Sequence, residues 1–254
     1  MASTFLVPRD GVDIVNGGDD VDVVSYLFTS VPVNANLNTG QTTATDGNDT
    51  LTDLENLVGT NGQDTLVGDD GENVINGEGG PDFILGNGGA DSLHGGPGND
   101  TIHSGEGADE LFGKADDDAL DGGDGPDQLS GGTGIDTVSF LSSNGAVVSL
   151  ATGANNQGDT LINNGTDKFE NLTGGSGADT LTGDAGGNVL DGFKGDDTLR
   201  GGGGADSYVG DIGSPQSTTR VQIRSRLTSV MGRTTRAILF QGSKMSSVPP
   251  GRIL

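Results

Sequence analysis

The sequence predicts an all-β fold, a solenoid of very short strands stacked on one another, and three observations predict it. First, residues 59–139 divide without insertion into nine nonapeptides: GTNGQDTLV, GDDGENVIN, GEGGPDFIL, GNGGADSLH, GGPGNDTIH, SGEGADELF, GKADDDALD, GGDGPDQLS and GGTGIDTVS. Second, position 8 is always aliphatic: Leu66, Ile75, Ile84, Leu93, Ile102, Leu111, Leu120, Leu129 and Val138. Third, the turn positions are fixed in type. Position 1 is Gly except at Ser104, position 4 is Gly except at Asp116, and position 6 is Asp except at Asn73.

Each nonapeptide splits into six turn residues and three strand residues. The triplet at positions 7–9 points one side chain inward and two outward, as a strand does. Three residues cannot sustain a strand alone, but they can when stacked on equivalents from other repeats. Collagen is excluded because position 7 is never Gly, so the three-residue period fails. The interior is thin and the carboxylates oppose stacking. Two charges at the strand spacing of about 4.8 Å repel by about 1 kcal/mol in water, and by more at lower effective dielectric. A cation between them reverses that sign. Oxygen-only ligands, with no Cys and no paired His, favour Ca²⁺ over a transition metal.

These residues resemble the RTX, or haemolysin-type, calcium-binding repeat G-G-x-G-x-D-x-U-x. The resemblance implies a parallel β-roll with two nonapeptides per 18-residue turn. Ca²⁺ then sits between successive turns on one side, held by position-6 Asp and turn carbonyls. On that pattern Asp64, Asp82, Asp100, Asp118 and Asp136 form one column, and Asn73, Asp91, Asp109 and Asp127 the other. Asp64 starts its column and is expected to serve one site, whereas Asp100 serves two. Position 2 departs from the formula: it is Gly in four of nine repeats, with Thr60, Glu78 and Lys114 among the replacements.

Taken in order, the chain approaches the array through degenerate repeats. Gly11, Asp13 and Val15 fall at positions 4, 6 and 8, and residues 17–25 follow in frame with Asp22 and Val24. Val31, Val33 and Ala35 alternate as a strand that ends at Asn38–Gly40. Gly47, Asp49 and Leu51 mark a further repeat, and residues 53–58 (DLENLV) interrupt the pattern before the main array. After Ser139 the plan recurs. Residues 135–153 match 21–40 and residues 158–192 match 48–77, an internal duplication offset by about 115 residues that pairs Asn56 with Asn171, Asp64 with Asp179 and Asn73 with Asn188. A second array at 174–209 supplies Asp179, Asn188, Asp197 and Asp206. The sequence is therefore divided into residues 1–58 (degenerate repeats and connecting strands), 59–139 (main array), 140–173 (connecting strands), 174–211 (second short array) and 212–254, a basic tail expected to be disordered.

The charge is lopsided. The net charge is −25; all 37 Asp/Glu precede residue 212, and seven of the 12 Lys/Arg follow it. An acidic body repels nucleic acid and anionic membrane surfaces. No apolar run is long enough for a membrane-spanning helix, and MASTFLVPRDGV is not read as a Sec-type signal. RTX relatives commonly leave through a type I channel using an uncleaved C-terminal signal, so the resemblance implies a secreted protein and the type I secretion machinery as a partner. The basic tail is unlike such a signal.

Position-6 Asp could act only as a turn former. A mere turn former should mix Asp, Asn, Ser and Gly, whereas eight of nine repeats use Asp. The expected metal ligands are Asp64, Asp82, Asp91, Asp100, Asp109, Asp118, Asp127, Asp136, Asp179, Asp197 and Asp206. Asn73 and Asn188 lose the charge and mark weak or empty sites, and an Asp at 73 is expected to add a ligand opposite Asp91. His94 and His103 occupy position 9 of consecutive repeats, hence opposite sheets, and read as exposed polar surface. Asp116–Asp118 start no EF-hand loop, and no P-loop, H-E-x-x-H or G-x-S-x-G motif occurs. No catalytic residue is assigned. The reading is a secreted calcium-binding β-roll that folds on Ca²⁺ and serves as a structural or display module. The alternatives are a non-catalytic fragment of an RTX enzyme (protease, lipase or alginate epimerase) and a calcium-dependent adhesin module.

Overall fold

The computed structural model describes residues 3–8, 11–29, 31–44, 47–209 and 220–221. Among them every regular element is a strand. Each nonapeptide contributes its position 7–9 triplet as a strand, and alternate repeats go to opposite walls. One wall is twelve-stranded. Its central run is Thr65–Val67, Phe83–Gly89, Thr101–Gly107, Ala119–Asp121 and Asp136–Ser139, all parallel and in register at 18-residue steps. The facing wall is eight-stranded, with Val74–Asn76, Ser92–Pro97, Glu110–Ala115 and Gln128–Thr133 at its centre. Leu66, Ile84, Ile102, Leu120 and Val138 thus form one inward column, and Ile75, Leu93, Leu111 and Leu129 the other, all buried in one hydrophobic cluster. This is the parallel two-walled roll that the repeat implies.

Several strands run on past the triplet into the turn. Asn87 pairs with Gly105 and Gly96 with Lys114, so the turns stack in register as well. This stacking leaves no room for a side chain at Gly80: a Cβ there, at φ +101°, would lie 2.6 Å from the Gly62 carbonyl carbon.

Two departures from the strict array carry the duplication. The Val31–Ala35 segment is strand only at Asn34–Asn36, which pairs antiparallel with Gln41–Thr43 and parallel with Thr65–Val67. Its counterpart Val147–Ser149 pairs antiparallel with Ala154–Asn155 and parallel with Thr180–Thr182. Both hairpins turn on a left-handed Gly, Gly40 at φ 67° and Gly153 at φ 68°. The 53–58 block does not interrupt the roll, as the sequence suggested. Asn56–Val58 is a rung of the eight-stranded wall, with Leu57 stacked between Val24 and Ile75. Its duplicate, Phe169–Thr173, enters the twelve-stranded wall through a register shift beside Asp136. The second copy has therefore changed walls. Its array continues the twelve-stranded wall with Val189–Asp191 and Ser207–Val209, and builds a separate five-stranded sheet on Val147–Ser149, Thr180–Thr182 and Thr198–Arg200. Arg220–Val221 extend that sheet beside Thr198–Arg200. The rest of the basic tail 212–254 lies outside the described residues.

Candidate metal centre

The position-6 side chains are buried, and their first oxygens form a ladder along each wall. Asp82 Oδ1 accepts the backbone N–H of Asp64, Asp100 that of Asp82, Asp118 that of Asp100 and Asp136 that of Asp118, at 2.8–2.9 Å. On the facing wall Asp91 accepts from Asn73, Asp109 from Asp91 and Asp127 from Asp109, over the same distances. In the second array Asp197 accepts from Asp179 and Asp206 from Asn188, each at 3.1 Å. Each turn is thereby tied to the next through a carboxylate oxygen acting as a backbone acceptor.

The second oxygens divide the aspartates. Among the described residues, Oδ2 of Asp82, Asp91, Asp100, Asp109, Asp118, Asp127 and Asp136 is buried and receives no hydrogen bond. A buried carboxylate oxygen left without a donor is costly. Asp64 and Asp179 differ. Asp64 Oδ2 accepts the Thr60 N–H at 2.5 Å, and its Oδ1 accepts the Val33 N–H at 2.7 Å. Asp179 Oδ2 accepts the Gly175 N–H at 2.9 Å, and its Oδ1 the Ala146 N–H at 2.6 Å. Asp206, in the last described turn, is only half-buried.

The uncommitted oxygens do not point into empty apolar space. A Cβ on the position-1 glycine of the same repeat would run into them and into the position-1 carbonyl of the next turn. At Gly77 it would meet Asp82 Oδ2 and, at 2.6 Å, the Gly95 carbonyl; at Gly86 it would meet Asp91 Oδ2 and the Ser104 carbonyl, also at 2.6 Å. Position 1 is thus a cradle of oxygens shared by two turns. Ser104, the one exception at position 1 in the main array, keeps the arrangement by donating its hydroxyl to the Gly122 carbonyl at 2.6 Å.

Electrostatics follow from the burial. It pushes the Asp82 carboxyl up to about 7, against the pull of the Asp64 N–H and reinforced by the Asp100 and Asp64 carboxylates. Asp127 is likewise pushed to about 7 and Asp118 to about 8, with neighbouring carboxylates adding to burial. Asp91, Asp100 and Asp136 reach about 6 for the same leading reason. In all six, burial is the leading cause and a single backbone N–H donor opposes it only in part. Among the described residues no three carboxylates or imidazoles converge as a cluster. A cation here would draw on one carboxylate per turn and on backbone carbonyls, an all-oxygen donor set suited to Ca²⁺. The residues fit that ion.

Five acidic residues outside the expected set join the ladders, among them buried Asp49, whose Oδ1 accepts the Asp13 N–H at 2.9 Å. Asp22, fully buried, accepts the Thr4 N–H at 2.5 Å through Oδ1, and its Oδ2 receives no hydrogen bond. Gly17, Gly18 and Val24 around it follow the repeat formula, and that was the readable signal. Glu55 Oε2 accepts the Asp22 N–H at 2.7 Å, and Glu170 Oε2 accepts that of Asp136 at 2.9 Å. Asp159 Oδ1 accepts the Asp127 N–H at 3.2 Å.

The histidines lie on opposite walls, as expected, but are half-buried rather than simply exposed. His94 stacks on Phe112 with centroids 4.8 Å apart, and Lys114 Nζ sits 4.5 Å from that ring's centroid. Burial and Lys114 lower the His94 pKa. His103 lies 5.7 Å from the Phe83 ring, and its Nδ1 is 3.9 Å from Asp121 Oδ2. Ser139 also donates to Asp121, at 3.3 Å, and Ser92 Oγ lies 3.1 Å from His94 Nε2.

Comparison with known families agrees with this geometry. The profile described as the RTX calcium-binding nonapeptide repeat (4 copies) matches residues 52–84, 76–111, 85–120, 103–138, 164–192 and 173–208. Together these cover more than half of the chain. Among curated proteins no match is found.

Proposed function

The chain belongs to the RTX calcium-binding nonapeptide-repeat family and binds Ca²⁺ through that module; from this we propose that calcium is the element that folds it, and that it does so after export. The observation that supports the reading is the row of buried Oδ2 atoms on Asp82, Asp91, Asp100, Asp109, Asp118, Asp127 and Asp136 that receive no hydrogen bond. We take these aspartates, with the position-1 carbonyls facing them, as the core of the ligand set. Asp197 and Asp206 continue it in the second array.

In this reading the protein's own residues do three things. The Oδ1 ladder fixes each carboxylate against the preceding turn. The glycines of position 1 keep the cradle free of side chains, except at Ser104, whose small side chain is tied to the Gly122 carbonyl. The position-8 column aligns successive cradles at the spacing of the strands. Bound calcium supplies the positive charge that the stacked carboxylates lack, so that binding free energy becomes folding free energy. Extracellular calcium modules work at about 10⁻⁴–10⁻³ M, far above cytosolic free Ca²⁺, which suits a chain that stays unfolded until secreted. Once folded, it acts as a rigid structural or display element, and the module itself has no catalytic role.

The test is circular dichroism and limited proteolysis of the whole chain in chelator and in millimolar Ca²⁺. The expected result is a protease-sensitive chain in chelator that gains strand signal and resistance on adding Ca²⁺ but not equimolar Mg²⁺. A compact, resistant protein in chelator at neutral pH would refute calcium-driven folding.

A further inference from the structure

The arrays contain two kinds of turn. In one kind the position-2 residue is left-handed: Glu78 at φ 72°, Asn87 at 81°, Gly96 at 118°, Lys114 at 89° and, in the second array, Phe193 at 57°. In the main array these turns belong to the aspartates whose Oδ2 receives no hydrogen bond. In the other kind the position-2 N–H turns inward and donates to the position-6 side chain of its own repeat. Thr60 donates to Asp64, Asp69 to Asn73, Gly175 to Asp179 and Asp184 to Asn188, at 2.5–2.9 Å.

The closed turns are the first two of each array, in both copies of the duplication. Residue identity at position 2 does not decide the matter, since Gly175 is closed while Glu78, Lys114 and Phe193 are open. What the closed turns share is the rung before them. Asp64 and Asp179 follow hairpin strands rather than a nonapeptide turn; their Oδ1 accepts the Val33 and Ala146 N–H groups, as Oδ1 of an open turn does from the turn before, and only their Oδ2 differs. Asn73 and Asn188 follow the Glu55 and Glu170 rungs and donate Nδ2 to those carbonyls at 2.8 and 2.7 Å. In all four the position-6 oxygens and amides are matched within the protein.

We propose that the position-6 side chains of Asp64, Asn73, Asp179 and Asn188 are spent on closing the start of each array and do not ligate calcium, so that the calcium-binding run of the main array begins at Asp82. The proposal rests on the calcium reading above and narrows it. Each array starts on two turns held by protein donors, and these template the open turns that need the metal.

The test counts calcium bound per chain by equilibrium dialysis against ⁴⁵Ca²⁺ at saturation, with folding checked by circular dichroism, for the parent chain, Asp64→Asn, Asp179→Asn and Asp100→Asn. Asp64→Asn and Asp179→Asn should bind as many ions as the parent, even if more calcium is needed to fold them. Asp100→Asn should bind fewer. Should Asp64→Asn fail to fold, Asp179→Asn carries the same comparison in the other array. Loss of bound calcium in Asp64→Asn or Asp179→Asn comparable to that in Asp100→Asn overturns the proposal while leaving the calcium reading intact. An unchanged count in Asp100→Asn overturns both.

Discussion

Two glycines of one repeat, two residues apart, should respond oppositely to the same methyl group. A Cβ on Gly77 would meet Asp82 Oδ2 and lie 2.6 Å from the Gly95 carbonyl. The carbonyl belongs to a stacked turn, so the carboxylate must rotate, which breaks its 2.8 Å bond from the Asp64 N–H. Overpacking costs about 1–3 kcal/mol, and losing a hydrogen bond to a charged acceptor costs about 1.5–3 kcal/mol. The stiffer unfolded chain of an Ala variant returns about 0.4–1 kcal/mol. The net loss for Gly77→Ala is about 2–5 kcal/mol, taking these terms together. In the main array five pairs of successive open-turn aspartates are joined by ladder bonds: 82/100, 100/118, 118/136, 91/109 and 109/127. With one ion per pair taken up on folding, and about 1.4 kcal/mol per tenfold in affinity, this loss raises the calcium midpoint about two- to fivefold. A Cβ on Gly79 meets nothing nearer than Asn61 Oδ1 at 3.5 Å. Gly79→Ala should therefore leave the midpoint unchanged or lower it slightly. Calcium titration followed by circular dichroism compares the two variants directly. Equal midpoints, or a higher one for Gly79→Ala, would refute the cradle at position 1.

Two further outcomes follow from the ladder. Asn73→Asp replaces an amide that donates to the Glu55 carbonyl at 2.8 Å and to Asp69 Oδ1 at 3.2 Å with an oxygen facing oxygens. The same titration should show a raised calcium midpoint despite the added charge, the reverse of what the sequence suggested, and a lowered midpoint would mean that calcium occupies this turn after all. The pH response of the calcium-free chain has a definite sign. The roll carboxyls of Asp82, Asp118 and Asp127 titrate at about 7–8 and those of Asp91, Asp100 and Asp136 at about 6, above the unfolded value of about 3.9. The folded state thus binds more protons, and its stability is present below the unfolded pKa and lost as pH rises through 6–8. In chelator, strand signal should be greater at pH 5 than at pH 8, and a signal that grows with pH would contradict the buried-carboxylate picture.

The strict period made most of the architecture readable. The period showed stacked repeats, and the RTX resemblance supplied the 18-residue turn that puts Leu66 and Ile75 on opposite walls, where the structure has them. That position 6 does more than form a turn was readable too, from an Asp that gave way only once in nine repeats. The two kinds of turn were not. Whether Asp64 or Asp82 keeps an uncommitted oxygen depends on the rung stacked before it, and that rung lies at least 18 residues away, beyond a hairpin in the case of Asp64. The change of walls between copies was hidden for the same reason: the connecting segments set it, and they lack the period. Asp22 was placed in frame by the sequence but left out of the expected ligands, because its repeat stands outside the unbroken array.

The two position-6 asparagines look, in the sequence, like eroded ligands, but the structure gives each a necessary part. In an ordinary rung the strand N–H after position 6 donates to the position-6 carbonyl one turn back, as Phe83 does to Asp64. At the 53–58 block the Asn56 side chain takes that N–H instead, accepting from Val74 at 2.7 Å, and Asn171 does the same for Val189 at 2.9 Å. The Glu55 and Glu170 carbonyls are thereby deprived of their ladder donor, while the Glu carboxylates reach back to the turn before. A buried carbonyl left unpaired costs about 1–3 kcal/mol, and a carboxylate at position 6 has nothing to donate. An amide does, and Asn73 and Asn188 fill the gap with Nδ2. The E-N-L block and the Asn 17 residues after its own Asn are therefore one device, present in both copies, that restarts the ladder after the Glu55 and Glu170 rungs.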